Sequence, residues 1–115
     1  MGSHRADLRL TVNGQNAAEI LSRGQQKLLV CALKIAQGYV FSRTTGRKTV
    51  YLIDDLPAEL DSKHRELLAR WLGIMDTQVF ITGIEQEILL SCWTTKLKTE
   101  IKMFHVEQGC VTETV

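Results

Sequence analysis

Leu8, Leu10 and Val12 alternate with Arg9 and Thr11, the period of two expected of a half-buried strand, and Asn13-Gly14 marks the turn that ends it. From Ser22 the pattern changes. Between Leu28 and Ala36 only Lys34 is charged, which predicts a mostly buried helix beginning near Ser22. Ser22 and Gln25 have the spacing of a capping box, in which each side chain satisfies a backbone amide that the helix start leaves unpaired. The polar stretch 42–48 reads as a loop. It leads into Thr49-Val50-Tyr51-Leu52-Ile53, a continuous β-branched and aromatic run that stops at Asp54-Asp55. Such a run predicts a central parallel strand covered on both faces.

Leu67, Leu68, Trp71, Leu72 and Met75 then recur at helical spacing opposite Lys63, Glu66 and Arg70, predicting an amphipathic helix from about Asp61 to Ile74. Gln78 to Thr82 reads as a second buried strand. Strand, helix and strand in this order predict a right-handed parallel crossover, the building block of a nucleotide-handling sheet. A short helix follows over 85–91, then a polar, basic loop over 93–99. Phe104 and Val106, the Gln108-Gly109 turn and Cys110 to Thr112 predict a small terminal β-hairpin. The fold class expected is α/β, with a parallel sheet and this hairpin.

With 115 residues, 44% of them hydrophobic, the chain can bury one modest core, so a single domain or a piece of one is expected. Residues 1–4, Met1 to His4, read as the scar of a cleaved expression tag, and 5–115 as the folded portion. Fourteen Lys and Arg against thirteen Asp and Glu leave no overall basic footprint, so any contact with nucleic acid must be local. Cys31, Cys92 and Cys110 are odd in number and far apart, which suits unpaired thiols in a reducing cytoplasm and speaks against disulfides or zinc. No stretch approaches the roughly 18 consecutive apolar residues of a membrane span, and no signal peptide opens the chain. A cytoplasmic protein without a membrane partner is expected.

Two motifs can carry chemistry. Leu21-Ser22-Arg23-Gly24-Gln25-Gln26 sits at a helix start, where unpaired amides and the helix dipole favour an anion and Gly24 lets a phosphate approach closely. The same residues also serve as an ordinary capping box. Val50-Tyr51-Leu52-Ile53-Asp54-Asp55, with Leu60-Asp61 after it, places two carboxylates at the carboxyl end of a parallel strand, where ligands of such sheets bind. One acid can hold Mg²⁺ while its neighbour polarises an attacking water. A solvated acidic turn, with Asp61 capping the next helix, is the plainer reading.

Taken together, the two motifs resemble the ABC-type ATPase heads, whose Leu-Ser-x-Gly-Gln signature precedes the Walker B strand by about one helix. Leu21 to Gln25 match the signature, Tyr51 to Asp54 the Walker B strand, and Ala58-Glu59-Leu60-Asp61 the D-loop. The finer wording, Ser-Arg-Gly-Gln, Leu-Ile-Asp-Asp, Glu-Leu-Asp and the closing Met103-Phe104-His105-Val106-Glu107, is similar to the bacterial RecF family of recombination mediators, relatives of the SMC-like chromosome-maintenance ATPases. The resemblance covers everything after residue 4. It implies the C-terminal lobe of a P-loop ATPase head that dimerises on ATP, each nucleotide lying between one subunit's P-loop and the other's signature helix. Ser22, Arg23, Gly24, Gln25 and Asp61 would then meet ATP across that interface. Asp54 would be the Mg²⁺-side acid, and Asp55 would stand where many relatives place a catalytic glutamate. Its shorter side chain implies slow hydrolysis, and the resemblance implies a parent protein that is a slow, DNA-dependent ATPase. The partners implied are single-stranded and gapped double-stranded DNA and the RecR and RecO mediator proteins, in replication, recombinational repair and the SOS response.

The chain departs from the family at two points. A Gly-x₄-Gly-Lys-Ser/Thr P-loop is nowhere in the sequence; Thr45-Gly46-Arg47-Lys48-Thr49 only imitates its tail. The reading is therefore a C-terminal fragment that alone does not hydrolyse ATP. After Thr82, where many ABC-type heads carry a switch histidine, stands Gly83. His64 and His105 are substitutes only in principle, since functionless surface histidines are far commoner. A phospho-acceptor receiver domain also uses an acid pair at a strand end, but it needs a further acceptor at another strand end, and Asp76 falls too early, in a helix-to-strand turn. The other reading is a non-catalytic interaction module of a DNA-repair protein, with Arg43, Arg47 and Lys48, or Lys96, Lys98 and Lys102, as its patch; a solvated face is the commoner use of such residues. Trp71 is expected in the core, and Trp93 in the core or facing a partner.

Overall fold

A computed structural model describes residues 7–91 and 100–114. The chain opens with a hairpin of β1 (Thr11–Val12) and β2 (Gln15–Asn16). Asn13 and Gly14 both take positive φ, 51° and 81°, the backbone that a tight two-residue hairpin turn requires. The strand is shorter than its alternation suggests, and it is not half-buried: Leu8 is 75% exposed. Asn16 leaves the hairpin as the N-cap of α1 (Ala17–Ile20), accepting from the Ala18 amide at 3.1 Å. The second strand and α1 have no counterpart in the sequence reading, because two-residue strands and one-turn helices are too short to show a period.

Helix α2 spans Arg23–Thr45, longer than expected. The segment from Ser42 to Thr45, read as loop, is helical, for hydroxyls replace the polar contacts a loop would make with water. Thr44 and Thr45 donate to the carbonyls of Val40 and Phe41, each at 2.8 Å, a bond open to these side chains within a helix. Arg43 reaches one turn back to the Tyr39 hydroxyl at 2.8 Å. Gly46 ends the helix at φ 73°, its amide donating to Ser42 at 2.9 Å. The stretch that imitates a P-loop tail is thus a glycine C-cap.

The acid-ended strand is β3 (Tyr51–Asp54), followed by a 3₁₀ turn (Pro57–Glu59) and α3 (Ser62–Met75). Strand β4 (Val79–Thr82) pairs parallel with β3, Tyr51 opposite Val79 and Asp54 opposite Thr82. The strand–helix–strand unit expected from the pattern is present. Asp76, in the left-handed C-cap of α3, lies in the helix-to-strand turn foreseen for it. Helix α4 (Gln86–Ser91) follows, and the hairpin of β5 (Phe104–Glu107) and β6 (Cys110–Glu113) closes the chain over Gln108 and Gly109, both at positive φ. The loop expected over 93–99, with Trp93, Lys96 and Lys98, lies outside the described residues.

The core lies between α2, α3 and one face of the β3–β4 pair. Leu28, Leu56, Leu60, Leu68 and Leu72 form it, with Tyr51, Ile53, Val79 and Trp71 packed against it. Gly38 brings α2 close to β3. A Cβ there would collide with the Tyr51 hydroxyl, which donates to the Ile35 carbonyl at 3.2 Å. Two expectations of burial fail at this core. Strand β3 is covered on one face alone: Leu52 is 79% exposed, beside Phe80 at 56%. Helix α2 buries only Leu28 and Gly38, while Val30 and Val40 are 54% and 62% exposed. The apolar pattern of both elements is wider than the surface this chain has to cover them. Among the described residues no helix is long and apolar enough to cross a membrane.

Candidate functional site

The signature-like motif forms the start of α2 as its spacing predicts. Ser22 is the N-cap: its Oγ accepts from the Gln25 amide at 3.2 Å, and Gln25 Oε1 accepts from the Ser22 amide at 2.9 Å. This box satisfies the third amide of the helix and leaves those of Arg23 and Gly24 with no partner inside it. Those two amides, the positive end of a 23-residue helix and the Ser22 hydroxyl make up a donor set of the kind that suits an anion. Gly24 packs against the 3₁₀ turn, where an added Cβ would stand 3.4 Å from the Glu59 carbonyl. Lys27, one turn further along α2, pairs with the Glu59 carboxylate. The helix start and the segment matching the D-loop are therefore neighbours, although more than 30 residues separate Lys27 from Glu59.

Asp54 and Asp55 stand at the carboxyl end of β3, but the two carboxylates are held differently. Asp54 Oδ1 accepts from the Thr82 hydroxyl at 2.5 Å. Asp55 turns into the left-handed region, φ 49°, and its amide donates to both the carbonyl and the hydroxyl oxygen of Thr82, at 3.1 Å each. Its Oδ1 is buried and has no hydrogen-bond partner. A buried polar atom without a partner is costly and calls for an explanation, such as an ion or water that completes it; Arg65 Nε is a second such atom among the described residues. An open groove of about 610 Å³ runs along α2 and β3, with Arg23, Lys27 and Asp54 on its wall and apolar residues such as Val30, Ile53 and Leu68 beneath.

Asp61 caps α3, accepting from the His64 amide at 2.8 Å, with His64 Nδ1 3.2 Å from the same oxygen. The helix-capping role foreseen as its plainer use is thus occupied. His105 lies 3.3 Å from Glu107 on the terminal hairpin. At Gly83 an added Cβ would come within 2.8 Å of Leu89, so α4 fills the space a switch histidine's side chain would start from. Of the basic residues that could form a patch, Arg43 lies over the Tyr39 ring and Lys48 pairs with Asp76. Cys31 and Cys110 are unpaired; burial pushes the Cys31 thiol up, away from reactivity. Cys92 lies outside the described residues.

Thr82 escaped the sequence reading. Its signal was the strand register, since a parallel pair that sets Asp54 beside Thr82 puts a hydroxyl next to the first acid.

Residues 5–112 match the family described as RecF/RecN/SMC N terminal domain. Among curated proteins, the chain is similar to the DNA replication and repair protein RecF of Cellvibrio japonicus, 70% identical over 110 residues that make up 96% of this chain and 30% of the relative. It is also similar to the protein of that description from Pseudomonas fluorescens, 54% identical over 113 residues, 98% of this chain and 30% of the relative. The chain spans about three-tenths of the length of these relatives. No solved structure matches it. The family description speaks of an N-terminal domain, so these matches carry the resemblance without carrying the C-terminal placing expected from the sequence. The chain belongs to the RecF/RecN/SMC N terminal domain family.

Proposed function

We propose that this chain is the C-terminal lobe of an ABC-type, P-loop ATPase head in a RecF-like recombination mediator, acting in DNA replication and recombinational repair through ATP-dependent dimerisation. The observation that carries the reading is the pair of acids at the carboxyl end of a parallel strand, one bonded by a hydroxyl and the other with a buried, unpartnered oxygen. The order of motifs supports the reading: the signature-like helix start, the acid-ended strand and the D-loop-like segment follow one another along the chain. The bare apolar face around Leu52 and Phe80 supports it too, because a sheet of this kind is covered on both faces in a finished domain.

The residues suit a magnesium–nucleotide complex. Mg²⁺ takes hard oxygen donors and is commonly held by one or two carboxylates together with substrate phosphates. Asp54 would hold Mg²⁺, which when bound would supply positive charge to offset that of the phosphates. Asp55, the next residue along the chain, takes the role of orienting water and accepting its proton. Ser22 and the amides of Arg23 and Gly24 form the anion-binding set that the dimer mechanism assigns to the opposite subunit's nucleotide. Asp61 fixes the first turn of α3 beside that seam. Single-stranded and gapped DNA, RecR- and RecO-type mediators and a second copy of the whole-length protein are the partners of this reading.

In ATP and Mg²⁺, phosphate release by this chain alone is expected at the buffer background, since no P-loop is present. Turnover by the isolated chain that disappears on Asp54→Asn would show a complete site within these residues and contradict the proposal.

A further inference from the structure

We propose that Thr82 is the positioning residue of the acidic site, its hydroxyl setting the Asp54 carboxylate and the Asp55 backbone in the arrangement that receives the magnesium–nucleotide complex. The inference deepens the ATPase reading and rests on it. A threonine hydroxyl has one proton and two lone pairs. The Asp55 amide, 3.1 Å away, can only donate, so Thr82 Oγ1 accepts there. Its proton is then free for Asp54 Oδ1, at the 2.5 Å of a short, charge-assisted bond. The direction of both bonds follows from the chemistry of the amide alone.

One side chain thus ties two functions together. Asp54 has one oxygen engaged and the other left for a cation. Asp55 is held at φ 49°, a conformation that costs a non-glycine residue free energy unless its surroundings impose it. Thr82 imposes it twice, through the carbonyl and the hydroxyl. As the last residue of β4, opposite Asp54 in the parallel register, Thr82 sits on a strand, and β-branching restricts its side-chain torsion. The hydroxyl therefore has little freedom to leave. Mg²⁺ demands near-octahedral geometry, and groups that orient a metal-binding carboxylate typically change metal affinity about 10- to 100-fold when removed.

The test uses the whole-length protein and reads ATP-dependent dimerisation against Mg²⁺ concentration. Thr82→Val keeps the shape of the side chain and the Asp55 bond to the Thr82 carbonyl, and Thr82→Ala removes the branch as well. Both are expected to raise the Mg²⁺ needed for half-maximal dimerisation about 10-fold or more, with the plateau regained at saturating Mg²⁺. Thr82→Ser, which keeps the hydroxyl, should titrate close to the unsubstituted protein. A Thr82→Val titration that coincides with the unsubstituted protein overturns the proposal if Asp54→Asn abolishes the response. A Thr82→Ser variant shifted as far as Thr82→Val overturns it too, because a merely structural role of the branch would then explain the loss. If Asp54→Asn itself leaves the Mg²⁺ dependence unchanged, the ATPase reading fails and takes this inference with it.

Discussion

In the whole-length protein, Asp55→Asn is expected to slow ATP hydrolysis by at least about 10²-fold, the contribution of a general base, while the ATP-bound dimer forms normally and persists longer. The substitution is well matched to the site. Asparagine has the shape of aspartate and tolerates the left-handed backbone that Asp55 adopts at φ 49°, so the turn and its two bonds to Thr82 survive. What is lost is the negative oxygen that lies buried without a partner. Single-turnover phosphate release separates chemistry from assembly, and dimer lifetime is read after dilution into excess ADP. Weaker ATP binding with a shorter-lived dimer would place Asp55 in nucleotide binding and remove it from catalysis.

A second large effect is expected in the core. Leu68→Ala should lower the stability of this chain by about 2–5 kcal/mol, because it removes a leucine side chain and leaves a cavity that its neighbours fill only in part. Leu68 is 1% exposed and meets Leu28, Leu56, Leu60 and Leu72 in the small cluster that joins α2, α3 and β3. Domains typically hold only about 5–15 kcal/mol in total, so this one change threatens the fold. Leu52→Ala provides the contrast: at 79% exposure the same substitution should fall within about 0.5 kcal/mol. Urea unfolding of the two variants checks the pair. Equal losses would mean that Leu52 is covered in solution and that the bare sheet face does not exist.

What could be read from the sequence was what is set locally. The Ser22–Gln25 box depends on residues three apart, and it forms as its spacing predicts. The parallel pairing of β3 and β4 follows from two apolar runs flanking an amphipathic helix, and the terminal hairpin from Gln108-Gly109. Burial was less legible. The apolar runs of α2 and β3 state how much surface is prepared for covering, and here Val30, Val40 and Leu52 remain exposed. The end of α2 was misplaced because Ser, Thr and Gly suggest a loop, whereas Thr44 and Thr45 turn their hydroxyls back onto the helix and Gly46 caps it.

Of the site, the acids and the helix start were visible as motifs. Their supports were not, since Thr82 and Glu59 reach Asp54 and Lys27 only through the fold. Gly83 illustrates the same limit. Its sequence shows that the switch histidine is absent, but only the packing of Leu89 shows that the space is taken.

The central claim, that the start of α2 meets a nucleotide held by another subunit, is tested most directly by ATP-dependent association of this chain with a whole-length protein carrying an intact P-loop. Association is expected with ATP and Mg²⁺, absent with ADP, and abolished by Ser22→Arg, which replaces the capping hydroxyl at the helix start with a bulky side chain. Binding that ignores both the nucleotide and Ser22 would contradict the account and leave the chain as a protein-interaction module without a nucleotide role.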